Sequence, residues 1–110
     1  ETDYLSNSGR DLIYEYINSL PEAEKIDGYT VLQHMEKGEF DKILFKRWEK
    51  KVYEVYFQKN NRVFYITVDK ENIYLLHSCR KQKNKTEKKD ANIVRKRAKE
   101  LGNMLGRKFI

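Results

Sequence analysis

Little in this sequence breaks the chain or staples it. The only proline is Pro21 and the only cysteine is Cys79. A lone thiol cannot close an internal disulfide, so a reducing cytoplasm is the expected compartment. With five glycines in 110 residues, there is neither a long flexible linker nor a Gly-rich loop to cradle phosphates. No apolar run approaches the roughly 18–20 residues needed to cross a bilayer, and no membrane partner is expected. The two histidines and the cysteine stand at 34, 77 and 79, which does not read as a zinc cluster. No metal or other cofactor is expected, and no Ser-His-Asp arrangement stands out.

Aromatic residues are plentiful: eight Tyr and five Phe supply enough apolar surface to fold despite a charged fraction of 36%. The length suits one domain spanning 1–110, with a single modest core. Net charge is +6, but it is unevenly placed. Residues 80–110 carry 12 Lys+Arg and 3 Asp+Glu, a net of +9, so the first 79 residues are at −3. Charge meant only for solubility would be interspersed. Concentration in one segment points to an anionic partner, with nucleic acid the commonest kind.

The apolar pattern divides the chain into helix, sheet and helix. "RDLIYEYINSLP" places Leu12, Ile13, Tyr16, Ile17 and Leu20 at helical spacing until Pro21. Glu22 to Lys37 reads as a second helix, with Ile26, Tyr29, Val31, Leu32 and Met35 as its apolar side and Gly38 as its C-cap. "KILFKRW" (42–48) is a short extended candidate, and "DYL" (3–5) is a strand stub. "KVYEVYF" (51–57), "RVFYITV" (62–68) and "IYLLHS" (73–78), joined by "QKNN" and "DKEN", form an antiparallel meander. Ala91, Val94, Ala98, Leu101 and Leu105 then mark one stripe of a basic helix. The expected fold is α+β, a helical hairpin packed on a small antiparallel sheet and followed by a basic C-terminal helix.

The run "VYEVYFQKNNRVFYITVDKENIYLLHSCRKQKNKT" (52–86) resembles the RelE/ParE superfamily of toxins from type II toxin–antitoxin systems, and within it the phage-derived HigB-like branch. The carrying residues are Tyr53-Glu54-Val55, Arg62-Val63-Phe64-Tyr65, Ile73-x-Leu75-Leu76-His77, Lys81 and Lys85-Thr86. The opening hairpin, 12–38, is similar as well. Five positions depart from the pattern: Tyr56 stands where that branch has Arg, Ser78-Cys79 where it has Gly-Phe, Gln82 where it has one of two paired lysines, and Glu87 where it has Pro.

The resemblance implies an mRNA endoribonuclease, acting free or on the ribosome and neutralised by a cognate helix-turn-helix antitoxin. Such an enzyme needs no metal. The RNA 2′-OH attacks the adjacent phosphorus, leaving a 2′,3′-cyclic phosphate and a 5′-OH. The protein must accept one proton, donate another and stabilise charge on the phosphate. Arg62 is the candidate phosphate contact, because its planar fork suits phosphate, although pairing with Glu54 on the neighbouring strand would also account for it. His77 is the candidate acid or base, and Lys81 completes the catalytic set as a point charge. Lys46, Arg80, Lys83 and Lys85 are candidate RNA-backbone contacts. Two other readings stay open on the same fold: a ParE-like inhibitor of DNA gyrase, and a nucleic-acid-binding protein that has lost catalysis.

Overall fold

A computed structural model describes residues 9–81 and 86–110. It contains α1 (Arg10–Asn18), α2 (Glu22–Glu36), a 3₁₀ turn at Phe40–Lys42, four strands and a long last helix. The strands are β1 (Leu44–Glu49), β2 (Val52–Phe57), β3 (Asn61–Asp69) and β4 (Asn72–Arg80), and the helix is α3 (Lys88–Leu105). The sheet is antiparallel throughout, in the order β1-β2-β3-β4. The molecule is therefore α+β, as expected, but the segment around 42–48 is a full member of the sheet. The stub at 3–5 lies outside the described residues.

Alternation along the strands sorts two cores. Val55, Phe57, Val63, Tyr65, Ile73 and Leu75 face α1 and α2, meeting Ile13, Ile17, Val31, Leu32 and Met35. Val52, Phe64, Ile66, Val68, Leu76 and Cys79 face the other way, against Val94, Ala98 and Leu101 of α3 and against Phe109. The sheet is thus covered by helix on both faces. In β4 a register shift between the pairs Phe64–His77 and Tyr65–Leu75 lets Leu75 and Leu76 serve opposite cores.

Two expected core residues are outside. Ile26 is 58% exposed and Leu12 49%. Residues two apart on a helix point roughly 200° apart, so burial of Glu24 and Gly28 on α2 turns Ile26 to solvent. Leu12 is similarly rotated off the Ile13–Ile17 line. Gly28 lets α2 come close: a Cβ there would lie 3.1 Å from both the Phe57 ring and Ile17 Cγ2. Among the described residues, no helix is long and apolar enough to cross a membrane.

Candidate nucleic-acid interface

The face of the sheet that carries α3 is apolar at one end and polar at the other. Cross-strand register assembles the polar end. Lys46 pairs with Glu54, Glu54 with Phe64, and Phe64 with His77, giving one row across all four strands. The next row runs Leu44, Tyr56, Arg62, Cys79. Lys81 follows directly after β4, where its amide donates to the Asn60 carbonyl at 2.8 Å.

Glu54 is the hub. Its side chain is 1% exposed, and one oxygen, Oε1, takes both Arg62 Nε at 3.3 Å and Lys81 Nζ at 3.5 Å. A buried carboxylate is tolerable only when it is paired. Here one negative charge is shared by two positive ones; Lys81 is itself buried, and Arg62 is the more exposed of the pair. The Arg62 guanidinium lies 4.6 Å from the centroid of the Tyr56 ring, and Lys46 Nζ lies 5.8 Å from the same ring. A ring between two cations holds both against its negative face. Arg62 Nη1 donates to the Asn61 carbonyl at 3.1 Å. Its buried Nε–H makes no hydrogen bond, because the contact with Glu54 is an ion pair off the N–H direction.

Arg62 and Tyr56 also form part of the wall of a groove of about 490 Å³, shared with Lys42, Lys59 and Asp27. The groove brings a planar donor, an aromatic face and two further lysines together, which suits a sugar-phosphate backbone.

A family model described as "Phage derived protein Gp49-like (DUF891)" matches residues 15–99, which includes every residue of this polar face. The chain belongs to the Gp49-like family. No curated protein and no solved structure matches it.

In this Gp49-like protein the residues singled out from sequence separate into distinct places. Arg62, Lys81 and Lys46 come together around Glu54 and Tyr56. His77 is on the same face but does not join them. β4 runs on to Arg80 rather than ending near His77, so His77 sits within a strand, its ring stacked on Phe64 at 6.5 Å. Its Nε2 is 2.8 Å from Asp90 Oδ1, in the first turn of α3. It opens onto a different cavity of about 320 Å³, lined by Leu12, Glu15, Tyr16, Ser78 and Arg97. Arg80 lies on the opposite pleat. It pairs with Glu24 of α2 at 2.7 Å and donates to the Lys59 carbonyl at 2.9 Å, which ties α2 to the β2–β3 hairpin. Lys83 and Lys85 lie outside the described residues. His34 pairs with Glu39 at 2.9 Å, and this hydrogen bond holds the Glu39 carboxyl below its usual value.

Two participants were not singled out from sequence. Tyr56 was noted as a missing arginine, yet it is the ring on which Arg62 rests. A turn through 58–61 would set 56 opposite 63; β3 instead starts at Asn61, which pairs with Phe57, and that one-residue difference sets Tyr56 opposite Arg62. Asp90 gave no local signal, because only the docking of α3 brings it to His77. Asp90 also closes a group with Cys79: one donor atom from each of His77, Cys79 and Asp90 lies within 4.8 Å of the others. Burial pushes the Cys79 thiol up to about 12, with the nearby Asp90 charge adding to the effect, so the thiol is protonated and not a nucleophile.

Proposed function

We propose that this protein is a toxin of a toxin–antitoxin system that binds RNA on the Lys46–Tyr56–Arg62–Lys81 face and cleaves it without a metal. The Gp49-like family is associated with such toxins. The observation that carries the reading is Arg62, laid on Tyr56 and backed by Glu54 at the wall of a basic groove. A phosphate settled there meets the remaining Nη hydrogens of a guanidinium already held in place by Glu54 and the Asn61 carbonyl. Catalysis follows mainly from stabilising the charge that builds on the phosphate as the 2′-OH attacks, with Arg62 and Lys81 as the cations. Donors fixed in advance in this way are worth about 10²–10³-fold each. The cognate antitoxin is a protein with a helix-turn-helix domain and an acidic surface, and the compartment is the cytoplasm.

The test is to incubate the pure protein, with chelator present, with messenger RNA and with translating ribosomes, and to map the new ends. New 5′-OH ends paired with 2′,3′-cyclic phosphates are expected, and growth stops on induction. Intact RNA together with unimpaired growth would refute it.

One observation favours a second reading, in which the face binds without cutting. His77, the expected proton carrier, is engaged by Asp90 and turned to another cavity. Salt-dependent RNA affinity with the RNA left intact selects this reading, and inhibition of gyrase supercoiling with RNA left intact selects a ParE-like action instead.

A further inference from the structure

We propose that His77, Cys79 and Asp90 form a binding site for a zinc-class divalent ion that joins β4 to the first turn of α3. The three donors are an imidazole nitrogen, a thiol sulfur and a carboxylate oxygen, with their ligand atoms all within 4.8 Å of one another. His77 and Cys79 are two apart on one strand and share a pleat, so both aim at the same side. Asp90 enters from the helix packed above them.

The spacing fits. Bonds of about 2.0–2.3 Å around a tetrahedral zinc place neighbouring donors roughly 3.3–3.6 Å apart. Here Nε2 and Oδ1 are 2.8 Å apart, with no pair beyond 4.8 Å, so small side-chain rotations bring all three to the required distance. The charges fit as well. A thiolate and a carboxylate neutralise a dication while the imidazole stays neutral. The cations nearby are spoken for: Arg62 and Lys81 lie against Glu54, and Arg97 Nη1 donates to the Leu76 carbonyl at 2.7 Å. Glu15, on the rim of the cavity beside His77, adds a favourable charge. That cavity reaches the group at His77, while Cys79 and Asp90 lie buried behind it. Sulfur and nitrogen donors select zinc, cobalt, nickel or copper over magnesium and calcium.

Binding releases one proton. In the metal-free form Nε2–H of His77 donates to the Asp90 carboxylate. On binding, the His77 proton moves to Nδ1, Nε2 gives its lone pair to the ion, and the Cys79 proton passes to solvent. Cys79 pairs with Arg62 across the β3–β4 ladder, but none of the three ligands lines the Arg62 groove, and metal binding is read by an assay separate from RNA cleavage.

The experiment is a titration of the metal-free full chain with cobalt(II), followed by zinc. One equivalent of cobalt should give a sulfur-to-metal charge-transfer band with strong tetrahedral visible bands, and zinc should bleach both. Cys79→Ser, shown folded by circular dichroism, should lose the charge-transfer band. Loss of an outer-shell partner alone costs roughly tenfold or more in affinity, so zinc binding measured by equilibrium dialysis should weaken by at least that factor. Zinc should raise the melting temperature of the wild type and leave that of the variant unmoved. Should Cys79→Ser not fold, Asp90→Asn, which keeps an acceptor for His77, must show the same weakening. A folded wild type with no charge-transfer band at one equivalent, or a variant that keeps the band, overturns the site.

Discussion

Arg62 lies over the ring of Tyr56, its direct partner across the β2–β3 ladder, with 4.6 Å between the guanidinium carbon and the ring centroid. The contact depends on the plane of the guanidinium as much as on its charge, and lysine supplies only the charge. Arg62→Lys should therefore keep RNA affinity within about threefold while cleavage falls by roughly 10²-fold, the usual cost of one preorganised donor. Single-turnover cleavage beside a binding titration checks this. Equal losses in the two would make Arg62 a simple anchor.

Glu54 holds two cations with one buried oxygen. Glu54→Gln removes the charge and leaves Arg62 and Lys81 facing each other without it. Breaking a buried pair from one side costs about 3 kcal/mol. The urea midpoint should drop accordingly while the slope of the transition stays the same.

Arg80 and Lys46 are both basic, yet their mutations should read differently. Lys46 is exposed on β1 beside the Tyr56 ring, so Lys46→Ala should shrink the salt slope of RNA binding by about 0.7, the loss of one phosphate contact on a single strand. Arg80→Ala should leave that slope unchanged and lower stability instead. A salt titration and a thermal melt on each variant separate the two roles.

The same network sets an acid limit. A hydrogen bond from the Asn61 amide, followed by the Arg80 guanidinium, holds the Glu24 carboxyl below its ordinary value. A carboxyl depressed in the folded state contributes stability that is fully present above its unfolded pKa, roughly 4.3. That stability is lost as pH falls through the lower folded value. Glu24→Gln should remove this part of the acid dependence, so wild type and variant should differ more at pH 7 than at pH 3 in their urea midpoints.

Gly102 is required by the chain that follows it. A Cβ there would meet the Arg107 carbonyl oxygen at 2.4 Å, and the Arg107 amide already donates to the Gly102 carbonyl at 2.9 Å. Despite alanine's higher helix propensity, Gly102→Ala should destabilise by about 1–3 kcal/mol. Phe109, 2% exposed, should come loose from its core, seen as faster amide exchange after residue 105.

Helices and hairpins were legible wherever one residue type marked a boundary or a period. The Ala91–Val94–Ala98–Leu101 stripe marks α3, and the polar tetrads at 58–61 and 69–72 fix two turns. Even there the strands run farther than their apolar residues suggest. Asn61 begins β3 as a fully buried polar residue holding the Glu24 carboxylate and the Gln58 carbonyl, and local pattern cannot distinguish that role from a turn asparagine. The basic content of the site was legible too, but its assignment was not. His77 met Asp90 only because α3 folds back onto β4, and Ile26 turned outward only because Glu24 found its partners inside.

The strand from His77 to Lys81 works like a two-column page. Odd-numbered positions face α3 with His77, Cys79 and Lys81, while Ser78 and Arg80 face the helical hairpin. Neighbours in sequence, Arg80 and Lys81, answer to different carboxylates on opposite sides of the sheet. A substitution here disturbs one column. Losing or gaining a single residue would exchange the columns wholesale, sending the partner of Glu24 toward Glu54 and the reverse. Across these five positions, spacing is therefore under tighter constraint than chemistry.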